Sequence, residues 1–228
     1  MSTEMPPAGR DPEAAAKLQV LATEHWSLLA TRALTYTESL GRVNMFLAIL
    51  SGAVIALALV AQADHFGPIF IAVAIFMLSV VFFTGVATIA RLMALNRDDF
   101  RWVIGMNRIR NAYLLMHPEL EAHFMTSPYD DLPGALQTLG IDTEGGSRLG
   151  SIGHGMVTLP GMLSMIVAAV GGAIGALAGV GIGLPPLGVL LIGAAAFLVV
   201  AVSMGIAGRR AVTRLTPTLE PRFKSPKT

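Results

Sequence analysis

The sixteen Lys and Arg residues of this 228-residue chain all avoid four apolar stretches, at 43–63, 68–90, 160–182 and 187–207. Each stretch is close to the roughly 20 residues that carry an α-helix across a hydrocarbon core. In lipid every backbone N–H and C=O must be paired, and within a single segment only a helix does so. The sequence therefore predicts an all-α, polytopic membrane protein with four transmembrane helices. Threading the stretches in order places every cation on one side, so the positive-inside rule predicts both termini in the cytoplasm, N-in/C-in. The two outward connections are short. The first carries only Asp64 and His65, and the second, Gly183 to Pro186, carries no charge.

Composition narrows the class further. With 54% hydrophobic and 14% charged residues the chain is too apolar for an ordinary soluble domain. The net charge of +1 hides a concentration of cations in the three cytoplasmic segments, which suits a bilayer with anionic headgroups as partner and not nucleic acid. Cysteine is absent, which excludes disulfides, thiolate metal sites and a thiol nucleophile. The first apolar stretch starts beyond residue 42, so it reads as a persisting span and not as a cleaved leader. Arg outnumbers Lys and Ala and Gly are abundant, as in a GC-rich bacterial genome; the expected location is a bacterial plasma (inner) membrane.

The pattern between the spans predicts the layout. Residues 1–10 read as a disordered tail, and 11–125 as a cytoplasmic helix, two spans and a second cytoplasmic helix. Asp11 and Pro12 supply an N-cap and a first-turn proline. Leu18, Leu21, His25, Leu28 or Leu29, and Arg32 recur at helical spacing. The second span runs on as a helix to Met116, with an apolar stripe of Leu95, Trp102, Met106, Ile109, Tyr113 and Met116 interrupted by Asp99. Such a stripe outside lipid needs a partner, and the first helix is the expected one. Trp26 and Tyr36 read as packing on that second helix, with a place in the headgroup layer as the alternative. Residues 126–155, broken by Pro and Gly, read as a flexible linker. A glycine-rich hairpin of spans at 156–208 and a basic tail at 209–228, disordered beyond Thr216, complete the chain.

Five motifs bear on packing and function. Gly171, Gly175, Gly179 and Gly183 recur every four residues, a smooth helix face on which another backbone packs closely in lipid. The expected partner is the fourth span, through Gly188, Ala195 and Ala196, or the same helix of a second copy in a homo-oligomer. Ala48, Gly52 and Ala56 repeat the idea weakly in the first span, and Ser79, Thr84 and Thr88 are expected to bond within their own helix. Arg97, Arg101 and Arg108 fall within about 40° on a helical wheel, a face for lipid headgroups or a docking partner, with Asp98 as local counter-ion. Neighbouring Asn96, Asn107 and Asn111 suit buried register-fixing contacts.

No Asp, Glu, Lys, Arg or His lies inside a span, which disfavours a proton-coupled transporter but leaves an uncharged pore open. His25, His65, His117, His123 and His154 match no ligand spacing, and no nucleophile motif is present. No catalytic, cofactor or metal residues are therefore assigned.

The stretch from Glu24 to Tyr113, with HWSLLATRALTYTESLGR before the first span and NRDDFRWVIGMNRIRNAYL after the second, resembles a family of uncharacterised actinobacterial-type multi-pass membrane proteins. Its layout is also similar to the SLATT group of two-span domains, and that likeness implies a membrane-perturbing effector in bacterial conflict. The second pair of spans departs from the SLATT layout. The reading that follows is a non-enzymatic, self-associating membrane scaffold that docks a cytoplasmic partner, with an oligomeric pore or effector as the alternative.

Overall fold

The structure, a computed structural model, describes residues 12–141, 158–213 and 220–226. Among the described residues the helical elements are, in order, α1 (Pro12–Asp64), α2 (Pro68–Met116), a 3₁₀ turn (Pro118–His123), α3 (Leu132–Thr138), α4 (Leu159–Gly181) and α5 (Pro186–Thr213). Among the described residues there is no strand. Four of the helices, α1, α2, α4 and α5, are long and apolar enough to cross a membrane. The protein is thus an all-α chain with four candidate spans. The expected tail at 1–10, the Asp11 cap, His154, positions 142–155 of the expected linker and 214–219 of the expected tail lie outside the described residues.

The chain divides into two compact units, to which α1 and α2 each contribute a segment. One, here the four-helix unit, takes its described residues from 35–98 and 158–213; the other, the α3 unit, takes them from 12–34, 99–141 and 220–226.

In the four-helix unit the core gathers on Phe46, which is fully buried with Leu78, Val81, Leu163 and Val167. Its apolar ring is flanked by Gly85 of α2, where an added Cβ would stand 2.9 Å from Phe46 Cε2 and would collide with Val167. On α1 the inward positions Phe46, Ala53 and Ala61 recur at helical spacing, while Met45, Val54 and Ile55 face out. The α1–α2 turn is tight. His65 and Phe66 have φ of 48° and 61°, and the Asp64 carboxylate accepts from Phe70 N at 2.7 Å, capping the first turn of α2. Glu38 accepts from Arg91 at 3.0 and 3.1 Å and from Arg42 at 2.8 Å. These bonds, Arg91 first, hold its carboxyl down to about 2.

Two expectations about chain order are corrected in the α3 unit. Residues 126–141 are not a flexible linker: Ser127 and Asp130 are buried, and Asp131 caps α3 by accepting from Gly134 N at 3.0 Å. Nor is the tail disordered throughout, since 220–226 are hydrogen-bonded to Asp130 and Asp131. Pro and Gly marked breaks in helix correctly, but a non-helical segment can still be pinned through its carboxylates and backbone.

Candidate functional site

The glycine-rich α4 is the first candidate. Its N-terminus is capped by Thr158, whose hydroxyl accepts from Gly161 N at 3.3 Å, and the missing Pro160 N–H costs nothing in the first turn. An added Cβ on Gly175 would lie 2.8 Å from Ala196 Cβ and 3.3 Å from Ile192 O of α5. One on Gly179 would meet Val189 Cα at 3.4 Å. Gly171 faces two ways, toward Val200 of α5 at 3.0 Å and Phe82 of α2 at 3.3 Å. These three glycines therefore do lie against other helices of the same chain.

Gly183 does not belong to that face. It follows the end of α4 with φ of 75° and nothing within 4 Å of an added Cβ. Gly183 N donates to Val180 O at 2.9 Å and Leu184 N to Gly179 O at 3.1 Å, the paired bonds of a Schellman C-cap. The four-residue spacing ran past the helix end because a C-cap glycine and a packing glycine look alike in sequence.

Of the three partner residues expected on the fourth span, Ala196 meets the glycine face at Gly175 and the other two do not. Gly188 packs on its own turn, against Leu184 and Pro185, and Ala195 is exposed. The intimate contact runs instead through Gly172 and Gly193: a Cβ on either would come within 3.1–3.2 Å of the other's carbonyl oxygen. Gly85 and this pair are the packing glycines that the sequence reading missed. The available signal was Gly172, Gly175 and Gly179 at spacings of three and four, a face better centred than a strict four-residue repeat.

In the α3 unit the first segment of α1 lies along the second half of α2. Gly105 allows the approach, since its Cβ would be 3.0 Å from Leu28 Cδ1. Asp99, the interruption of the apolar stripe, meets Arg32, the polar end of the α1 stripe: Arg32 Nε and Nη2 donate to the two carboxylate oxygens at 2.7 and 3.3 Å. Met106 and Ile109 are buried, so the stripe is used internally. His25 stacks on Tyr113 with ring centroids 6.3 Å apart, and Tyr113 on Phe124 at 6.4 Å. Burial, and then the Arg110 charge, lower the His25 pKa.

The arginine face breaks up. Arg97 and Arg101 are exposed on α2, whereas Arg108 is paired within the chain, its Nε donating to Asp130 Oδ2 at 2.7 Å. Asp130 has a fully buried side chain. Burial pushes its carboxyl up, but bonds from the Arg222 and Phe223 amides and from Arg108 outweigh this and leave the pKa lowered.

Asn107 becomes the central polar group. It is fully buried, donates from Nδ2 to the carbonyls of Tyr129 at 2.7 Å and Gly134 at 3.2 Å, and accepts at Oδ1 from Arg110 at 2.6 Å and Thr138 at 3.0 Å. All four hydrogen-bonding positions of its amide are filled.

Two surface features accompany this interior. A groove of about 560 Å³ is lined by Val20, Leu21, Ala112, Leu115 and Met116, with Glu13 and Lys17 at its rim. A cavity of about 200 Å³ opens between Asn111, Leu114, Pro118, Glu121, Pro128 and Tyr129. His117 contacts Glu119 at 3.1 Å, and among the described residues no group of three or more His, Cys, Asp or Glu is placed to hold a metal ion. Comparison with protein-family models, with curated proteins and with solved structures finds no match for this chain.

Proposed function

We propose that this chain is a non-enzymatic multi-pass scaffold of a bacterial plasma membrane, with both termini cytoplasmic, whose α3 unit docks a cytoplasmic protein. The observation that carries this reading is apolar exposure on a unit that contains none of the four spans. Val20 is 68% exposed, Trp26 70% and Leu115 73%, and Val20 and Leu115 line the 560 Å³ groove. Contiguous exposed apolar surface away from lipid is the usual mark of a docking site. The second-helix stripe expected to serve this role is met by α1 at Asp99, Gly105 and Tyr113, so the docking surface shifts to the exposed groove lined by Val20 and Leu115. Self-association through the glycine face is not part of the reading, because Gly171, Gly175 and Gly179 are packed within the chain.

A photo-crosslinking residue at Val20 tests it in cells. One discrete protein adduct that disappears with Leu115→Asp supports docking, and crosslinking to lipid alone overturns it. Sidedness is read with an impermeant thiol reagent: Gln62→Cys should label from outside and Met125→Cys, at a position 99% exposed, should not. Vesicles holding the purified protein should stay tight to ions and small dyes. Protein-dependent release would replace the scaffold with the pore or effector reading.

A further inference from the structure

Asp130 and Asp131 each spend their carboxylates on the same short segment, residues 220–226. Asp130 Oδ1 accepts from Phe223 N at 2.7 Å and Oδ2 from Arg222 N at 3.0 Å, while Asp130 N donates back to Phe223 O at 3.0 Å. Asp131 Oδ2 accepts from Ser225 N at 2.7 Å and Oδ1 from Ser225 Oγ at 2.7 Å. Arg108 Nη2 donates to Glu220 O at 3.3 Å. The segment is read almost wholly through its backbone, and the Ser225 hydroxyl is the one side chain that takes part in these bonds.

The receptor half of this contact makes further bonds that do not involve the segment. Asp131 is fixed by its cap on α3, Asp130 by Arg108, and Asn107 grips the carbonyls of Tyr129 and Gly134 on either side of the pair. A site whose groups are already positioned binds with less ordering cost. A ligand tethered on the same chain also acts at a millimolar-scale effective concentration, so a handful of hydrogen bonds can keep it seated while leaving it displaceable.

We propose that the Asp130–Asp131 pair is a preformed binding site for a short extended peptide, occupied in cis by residues 220–226 as a releasable latch. Its recognition chemistry is carboxylate to peptide N–H, with one serine hydroxyl. Negative charge at residue 225 opposes it, because an anion would replace a donor 2.7 Å from the Asp131 carboxylate. The latch stands whether or not a partner docks on the groove of α1.

The experiment compares hydrogen exchange of the Phe223 and Ser225 amides in full-length wild type, Ser225→Ala and Ser225→Asp, in lipid nanodiscs. Wild type should exchange at least tenfold more slowly than Ser225→Asp, with Ser225→Ala between them because it retains the backbone bonds. The Leu139 amide, which bonds Ala135 O, should be equally protected in all three, showing that α3 is intact. A fluorescent peptide of residues 220–226 should then bind the full-length Ser225→Asp protein at least tenfold more tightly than wild type, whose own segment competes. Unprotected tail amides in wild type, protection unchanged in Ser225→Asp, or equal peptide affinity for both proteins would each overturn the latch.

Discussion

The α4–α5 hairpin and the Asn107–Asp130 node both bring backbone close to a neighbour, and they do it by opposite means. At the hairpin, side chains are removed: Gly172, Gly175 and Gly193 let two helix backbones approach with no polar side chain at the contact. At the node, side chains are added, and Asn107, Arg108 and Asp130 join the segments through hydrogen bonds. Apolar segments in lipid gain little from burying more apolar surface, so close van der Waals contact is the available source of specificity. A unit without spans has an irregular segment whose carbonyls must be paired, and an amide with two donors and an acceptor pairs them.

Asn107→Ala should break the node most severely. It strips the Tyr129 and Gly134 carbonyls of a donor at once, and each buried unpaired group costs about 1–3 kcal/mol. A loss of about 3 kcal/mol is expected, read as lost exchange protection across residues 129–139 with α4 and α5 amides unchanged. Gly175→Leu attacks the other side of the comparison. Overpacking there should cost about 1–3 kcal/mol in denaturing-detergent unfolding followed by circular dichroism. Gly52→Leu on α1, where nothing lies within 4 Å, should stay within about 0.5 kcal/mol.

The Arg32–Asp99 pair is part-exposed, at 25% and 16%, so its expected coupling is smaller, about 1 kcal/mol at most. A double-mutant cycle with Arg32→Asp and Asp99→Arg checks it: each single change should loosen the α3 unit, and the exchanged pair should recover most of the loss. The smallest effect is the pH response of His25. Its folded pKa lies below the ordinary 6.5, so the unfolded chain binds the proton more readily. Its contribution is therefore fully present above pH 6.5 and is lost as pH falls through the interval down to the lowered folded value. The protection factor of the Ile109 amide, taken against its intrinsic rate at each pH, should fall on acidification through that window, and His25→Gln should flatten the response.

The glycine and arginine motifs show how far sequence reading reaches into the candidate sites. Gly175 and Gly179 were legible as packing positions, because four-residue spacing within one helix fixes a common face. Gly183 was misplaced, since spacing does not reveal where a helix stops. Arg97, Arg101 and Arg108 share a wheel sector, but a wheel carries no information about what approaches it. Arg108 met Asp130, and the other two remained on the surface. Asp99 was legible only as an interruption, although its match, Arg32, stood in the facing stripe.

What the sequence determined alone was the class: four apolar runs of spanning length, free of charge, leave helices as the regular structure that a single segment can form in lipid. Helix punctuation was equally local, in Pro68 and Pro186 at helix starts and Pro118 just beyond α2. Tertiary structure decided the partners. The 220–226 segment found Asp130 and Asp131 across more than 90 residues of chain, with separations of 92 to 94 for the bonds involved. Gly85 likewise became a contact point only when Phe46 and Val167 arrived beside it. Periodicity is a property of one segment, whereas satisfying a buried carboxylate or filling a glycine notch depends on a second segment that no local pattern names.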